Sequence, residues 1–340
     1  MSKLGGNLAR QILFDARWVG NHGIGRFASE LLKLLPELTP FDRKRRPWHP
    51  LDPGLLGAEL WLRRPGLFFS PGYNVPVGWP YPYVFTLHDL HHLCVPEDSS
   101  PAKRAYYKYI LRPACHKAAF LLTGSEYSRH EIQEWAKLKD EKIVAVSYGV
   151  DLPFTHSGRR YEPGYPYLLY VGSHKPHKNL ARLLKAFAIS GVQKDVRLLL
   201  TGSEETELAK QIAGLGLNGG VVFAGFPADD DLADLFRGAA GFVFPSLYEG
   251  FGLPPLEAMA CGVPVLTSNV CSLPEVVGDA AILIDPLDVE DIAQGIQRLI
   301  GDDALREDLR WKGVERARRF SWGETARRTR QVLDAAMNAG

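Results

Sequence analysis

Short runs of β-branched, aromatic and leucine residues alternate with amphipathic stretches along almost the whole chain. This alternation constrains the fold more than any other feature, because it belongs to parallel sheets covered by helices. Strands are expected at 10–16, 66–70, 83–89, 118–125 and 142–149, with helices at 25–35, 101–117 and 126–138 among them. The stretch VDLPFTHSGRRYEPGYP at 150–166 then interrupts the pattern, and its proline, glycine and charge read as a linker. The same grammar restarts at 167–173 and continues at 196–203, 220–226, 240–246, 263–269 and 280–286. With 340 residues the chain exceeds what one hydrophobic core usually organises. We therefore expect an α/β protein of two doubly wound domains facing each other across a cleft, with ligands beyond the carboxyl ends of the strands.

Several function classes are disfavoured by composition. No run of eighteen apolar residues occurs, and the first seventeen residues lack the apolar segment of a signal peptide, so a cytoplasmic protein without a membrane span is expected. Cys94, Cys115, Cys261 and Cys271 form no CxxC pair and are expected to be reduced thiols. A net charge of +1 argues against nucleic acid as a partner. The near-neutral average conceals a difference between halves: residues 1–150 carry a net +6 and residues 151–340 a net −5. In the first half FDRKRRPWHP (41–50), WLRRPG (61–66) and 102–117 mix basic and aromatic residues. That composition suits peripheral contact with an anionic membrane, and equally suits ordinary solvated faces.

Three turns hold residue types suited to chemistry. VGNHGIGRFASELLKLL (19–35) is a glycine-rich turn opening into an amphipathic helix, where Gly23 and Gly25 would let backbone approach a ligand and the helix start would attract an anion. YVGSHKPHKNLARLLKAF (170–187) repeats the design with Lys175, His177 and Lys178 in the turn, where a cation could neutralise a phosphate. In FPSLYEGFGLPPLEAMACGVPVLTSN (244–269), Glu249 and Glu257 stand among glycine, proline and apolar residues. Desolvating such carboxylates costs several kcal/mol or more unless polar groups compensate.

The last of these turns resembles the hallmark of the GT-B glycosyltransferases of family four, a glutamate, seven residues and a second glutamate within an EGFGLPxLEAMAxGxPV context. Similarity extends through GIGRF (23–27), TLHDLHHL (86–93), VGSHKPHKNLARLLKAF (171–187), SLPEVVGDAAILIDPLD (272–288) and FSWGETARRT (320–329), and so covers nearly the whole chain. The resemblance implies two Rossmann-like domains. They are an acceptor-side domain at 1–155, onto which a last helix at 321–340 returns, and a nucleotide-sugar domain at 160–320.

It also implies roles for individual residues. Glu249 would lie by the hydroxyls of the donor sugar, with backbone N–H groups around Phe251, Gly252 and Leu253 holding the same sugar. Glu257 would accept hydrogen bonds from the ribose hydroxyls, Lys178 would contact the diphosphate, and His88 would stand near the donor sugar. The Gly23–Gly25 loop would help with the phosphates. Many relatives carry arginine where this chain has Ser173, and some read PRK where it reads PHK (176–178), which leaves Lys175 as the substitute cation.

The implied reaction is retaining transfer of a hexose from a nucleoside-diphosphate sugar to a glycan or lipid-linked acceptor in surface polysaccharide synthesis. The wording around GIGRF, HDLHHLCVPEDS and GSHKPHKN is closest to mannosyl- and rhamnosyltransferases, making GDP-mannose or a related deoxyhexose the preferred donor. Neither a metal nor another cofactor is expected. ADDDLADLF (228–236) reads as a helix start rather than a metal motif, and Asp89, His91 and His92 lack zinc spacing. The aromatics of 70–83, with Trp61 and Trp79, are either packing residues or part of an acceptor groove. A sugar-nucleotide epimerase and a non-catalytic sugar-nucleotide-binding protein remain as alternatives.

Overall fold

The structure is a computed structural model that describes residues 11–20, 23–43 and 45–338. The chain divides into two compact units, residues 1–149 with 321–340 and residues 150–320. In the first unit the strands are β1 (Ile12–Asp15), β2 (Leu38–Phe41), β3 (Leu67–Ser70), β4 (Tyr83–Thr86), β5 (Phe120–Thr123) and β6 (Ile143–Ala145). They pair in parallel in the order β2-β1-β3-β4-β5-β6. The second unit holds β7 (Tyr167–Tyr170), β8 (Arg197–Leu200), β9 (Val221–Phe223), β10 (Gly241–Phe244), β11 (Val265–Ser268) and β12 (Ala281–Ile284). These are also parallel, in the order β12-β11-β10-β7-β8-β9.

Helices on both faces explain why strands such as LFFS in β3 and YLLY in β7 are buried along their full length. Each sheet has its own core. Phe68, Phe85 and Leu121 centre the first, and Leu168, Phe187, Leu198 and Leu266 the second. The two strand orders also fix where a ligand belongs. In the first sheet the direction of winding reverses between β1 and β3, and in the second between β7 and β10. Such reversals open a crevice at the carboxyl ends of the flanking strands.

Two differences from expectation have physical reasons. β2 was not expected, because the run LTPF contains a proline that cannot donate to a sheet ladder. It pairs with β1 alone, and an edge strand tolerates Pro40. The single helix expected at 101–117 is instead a helix Pro101–Tyr106, a π-turn Tyr107–Leu111 and a helix Arg112–Lys117. Pro113 lacks the N–H that would continue the regular ladder, and wider turns commonly absorb such a gap.

The expected linker has no helix or strand, yet it is packed into the second unit. Arg159 bridges to Asp234 at 2.5 Å, and a side chain added at Gly238 would lie 2.2 Å from the Tyr161 carbonyl oxygen. The helix Asp229–Gly238 opens with Asp229, Asp230 and Asp231, where the helix dipole favours acids. The last helix, Trp322–Asn338, lies on the first unit: Thr325 Oγ1 donates to the Ser147 carbonyl at 3.0 Å, and Trp322 stacks on Tyr148. All four cysteines are free thiols, and burial pushes Cys115 and Cys261 up to about 12.

Candidate active site

In the second unit the chain leaves β7 through Gly172, whose φ of +156° favours glycine, and descends through a short 3-10 turn, Pro176–Lys178. Asn179 follows in the left-handed region at φ +63° and starts the helix Leu180–Ser190. Asn179 is buried, and its amide donates to the Pro245 carbonyl at 3.0 Å and the Pro286 carbonyl at 2.6 Å. The turn after β7 is thereby fastened to the segment after β10. A second fastening is the Leu247 N–H donating to the His177 carbonyl at 2.7 Å, with Ser246 Oγ donating to the same oxygen. Sequence patterns gave no reason to single out Asn179 or Ser246, because an Asn at a helix start and a Ser after a strand are common.

These fastenings bring Lys178 to Glu249. The Lys178 Nζ stands 2.6 Å from Glu249 Oε1, both side chains are largely buried, and the ammonium lies 5.2 Å from the centre of the Phe244 ring. The pair sits off β7 and β10, at the switch point of the sheet. Burial pushes the Tyr170 hydroxyl above its usual range, and the nearby Glu249 carboxylate adds to the effect.

Beyond Glu249 the turn is built around Ser272, whose Oγ lies 2.8 Å from the Glu249 carbonyl and 2.9 Å from that of Phe251. Gly252 has φ +105°, a conformation that favours glycine, and an added Cβ would lie 2.8 Å from Leu273 Cδ2. The helix Leu253–Ala260 then begins, with Glu257 one turn in and buried at 4% exposure. Pro254 and Pro255 occupy its first turn and have no N–H to offer, which leaves Leu253 and Leu256 as the first-turn residues that carry one. Ser173 and Lys175 are exposed on the other turn. The Ser173 carbonyl accepts the Tyr170 hydroxyl at 2.9 Å, and the Lys175 carbonyl accepts the Lys178 N–H at 2.9 Å.

In the first unit the glycine-rich turn follows β1, with Asn21 and His22 outside the described residues. The helix Gly23–Leu34 packs close to that turn: a Cβ on Gly25 would stand 2.2 Å from the Gly20 carbonyl oxygen, whereas one on Gly23 would meet nothing within 4 Å. Gly25 thus has a packing reason of its own. Gly25→Ala should destabilise the protein by about 1–3 kcal/mol through overpacking, while Gly23→Ala should be near neutral or mildly stabilising. Unfolding midpoints of the two variants check this contrast.

His88 follows β4. Its Nε2 lies 2.9 Å from the Pro71 carbonyl and must carry the proton there, which leaves Nδ1 to accept from the Tyr148 hydroxyl. Phe27 packs edge-on against the His88 ring at 5.4 Å. Nearby, Asp89 accepts the His91 N–H at 2.9 Å and His91 Nε2 pairs with Asp98 at 2.8 Å. Burial and the neighbouring Lys103 lower His92 to about 4.

A buried polar network at the β1/β3 switch point escaped sequence reading. Asp15 ends β1 and accepts from Arg17 at 2.7 Å and from Asn74 Nδ2 at 2.6 Å; Arg17 also reaches Asp52 at 2.6 Å, and Ser70 Oγ and Trp18 Nε1 complete it on Asn74. Two Asp and one Arg spread over thirty-eight positions give no motif. The only available signal was an ionisable residue at the end of an apolar strand.

Comparison with known proteins bears on family and fold. Residues 156–316 match the family described as glycosyl transferases group 1. The chain is 36% identical over 253 residues to the O-antigen chain mannosyltransferase B of Escherichia coli, covering 70% of this chain and 66% of the relative. It is 31% identical over 279 residues to the serotype-specific mannosyltransferase WbdA of the same organism, covering 76% of this chain and 34% of the relative. The chain therefore spans about two thirds of the one and about a third of the other. Among solved structures, sucrose-phosphate synthase from Thermosynechococcus elongatus shares the fold over 97% of this chain and 99% of its own, with TM-score 0.79 and 21% identity. The two parallel six-stranded sheets with flanking helices are those of the GT-B fold.

Proposed function

We propose that this chain, whose residues 156–316 place it in the glycosyl transferases group 1 family, transfers a hexose from a nucleoside-diphosphate sugar to a glycan or lipid-linked acceptor in surface polysaccharide synthesis. The observation that carries the reading is the Lys178–Glu249 pair at the β7/β10 switch point. The two charges neutralise each other in a largely desolvated place. When a sugar nucleotide enters, the diphosphate takes Lys178 and the sugar hydroxyls take Glu249. Each group exchanges one satisfied partner for another, so neither state leaves a buried charge uncompensated.

Glycosyl transfer places positive character on the sugar ring and negative charge on the leaving diphosphate. Preorganised cations and dipoles at the phosphates are then the main source of catalysis. Lys178 supplies the cation, and the loop N–H groups at Phe251, Gly252 and Leu253 supply donors to the sugar. Glu257 accepts from the ribose hydroxyls. Transfer proceeds with retention, and a leaving-phosphate oxygen assists loss of the acceptor proton. Mannosyltransferase names among the relatives support GDP-mannose as donor, and the O-antigen name supports a surface-glycan acceptor. No described helix is long and apolar enough to cross a membrane, so contact with a lipid-linked acceptor would take place at the protein's surface.

The test is thermal stabilisation by a panel of sugar nucleotides, since a ligand that binds only the folded state raises its midpoint with occupancy. GDP-mannose should give the largest shift, and transfer should persist in chelator. Stabilisation by no sugar nucleotide would sink the reading, and activity lost in chelator and restored by magnesium or manganese would remove Lys178 as sole counter-charge.

A further inference from the structure

The helix Asp52–Arg63 has two apolar faces where a surface helix ordinarily has one. Leu56 and Leu60 point into the core. On the opposite side Leu55 and Leu62 are 46% and 87% exposed, and Leu51, just before the helix, is 65% exposed. Positions 51, 55, 58 and 62 follow the four-three-four spacing of one stripe, so these side chains form a continuous band rather than scattered exceptions.

Polar and aromatic groups frame the band. On one side Arg43, Arg45 and Arg63 line a hollow of about 540 Å3 floored by Leu55 and Leu62. Glu59 engages Arg43 at 2.6 Å and Arg63 at 3.5 Å, while Arg45 gives its Nε to Asp52 at 2.7 Å. The Arg45 Nη2 is buried and has no hydrogen-bond partner among the described residues. On the other side Trp61 and Tyr81 are 44% and 47% exposed and pack edge-on against each other.

This surface is also rigid. The Trp61 Nε1 donates to the Gly78 carbonyl at 2.9 Å, the Val77 N–H donates to the Pro53 carbonyl at 2.9 Å, and a Cβ at Gly57 would lie 2.0 Å from the Val77 carbonyl oxygen. Helix and aromatic loop are therefore presented as one piece, and little ordering is needed on docking.

We propose that this face docks on a bilayer containing anionic lipid. The leucine stripe would enter the boundary of the acyl chains, the exposed Trp61 and Tyr81 would lie at headgroup level, and lipid phosphates would enter the hollow and meet the half-exposed Arg43 and Arg63. Charge decides against a second copy of the chain as occupant, because a two-fold contact would press the arginines of both copies together. The inference deepens the proposed function by supplying a route to a lipid-linked acceptor, but its observations are those of this surface alone.

The experiment is flotation of the full chain with vesicles of phosphatidylcholine alone and of phosphatidylcholine mixed with phosphatidylglycerol, at low and high salt. Wild type should float with the anionic vesicles only, less so in salt. Leu55→Gln with Leu62→Gln, and separately Arg43→Gln with Arg63→Gln, should each lower the bound fraction by about tenfold or more. Lys103→Gln with Arg104→Gln and Lys108→Gln, on the other basic segment, should float as wild type. All variants should keep the thermal shift given by the sugar nucleotide, which separates failure at this surface from failure of the donor reading. The proposal is overturned by equal recovery on both lipids, by no recovery on either, or by patch variants that float undiminished. It is also overturned by a wild-type dimer in solution that the leucine variant dissociates.

Discussion

Lys178→Ala should lower sugar transfer by about two to three orders of magnitude, the scale seen when a preorganised electrostatic contact to a developing oxyanion is deleted. The expectation rests on what surrounds the ammonium. Glu249 Oε1 lies 2.6 Å away and the Phe244 ring 5.2 Å, so the lysine is held in place before any donor arrives. Its removal has a second consequence. The Glu249 carboxylate, largely buried, loses its counter-charge and repels the incoming diphosphate, so donor affinity should fall together with turnover. Lys178→Arg keeps the charge but presents a planar fork to a place shaped for an ammonium, and should recover only part of the loss. Steady-state kcat and donor KM for both variants are the measurement. A Lys178→Ala enzyme whose kcat stays within about tenfold of wild type would remove Lys178 from the leaving-group site.

How much of this arrangement could be read from the sequence depends on the range of the interactions. The apolar runs of β1 and of β3 to β12 were legible because parallel strands covered on both faces leave little compositional choice. Their expected ends overshot by a few residues, since runs such as YVFTLHD continue as turn after Thr86. β2 was hidden by Pro36 and Pro40, which read as breakers until the edge position is known. Within the candidate site, Glu249 and Glu257 were visible as charges in an apolar setting, and Lys178 as a basic residue at a strand-to-helix turn. The joining of Lys178 to Glu249 was not visible. It depends on Asn179 reaching Pro245 and Pro286, contacts spanning 66 and 107 positions that no local pattern encodes. The Asp15–Arg17–Asp52–Asn74 network was illegible for the same reason.

The two glutamates should separate by role when each is replaced. Glu257 is buried one turn into the helix Leu253–Ala260; in the role proposed for it, acceptor of the ribose hydroxyls, it would act on the nucleotide whether or not a hexose is attached. Glu257→Ala should therefore weaken binding of the bare nucleoside diphosphate by about ten- to a hundredfold, the worth of a hydrogen bond to a charged acceptor. Glu257→Gln keeps the volume and removes the charge, so a similar loss in that variant would exclude a cavity as the cause. Glu249 behaves differently because its partner is Lys178. Glu249→Gln should impair transfer, since the sugar hydroxyls lose a charged acceptor. The same change frees the Lys178 ammonium for phosphate, so nucleoside diphosphate affinity should stay level or rise. Calorimetric titration with GDP, set beside transfer rates from GDP-mannose, reads both effects. The two roles would be wrongly assigned if Glu249→Gln weakened GDP binding as much as Glu257→Gln does, because losing an acceptor for the donor hexose cannot weaken a ligand that carries no hexose.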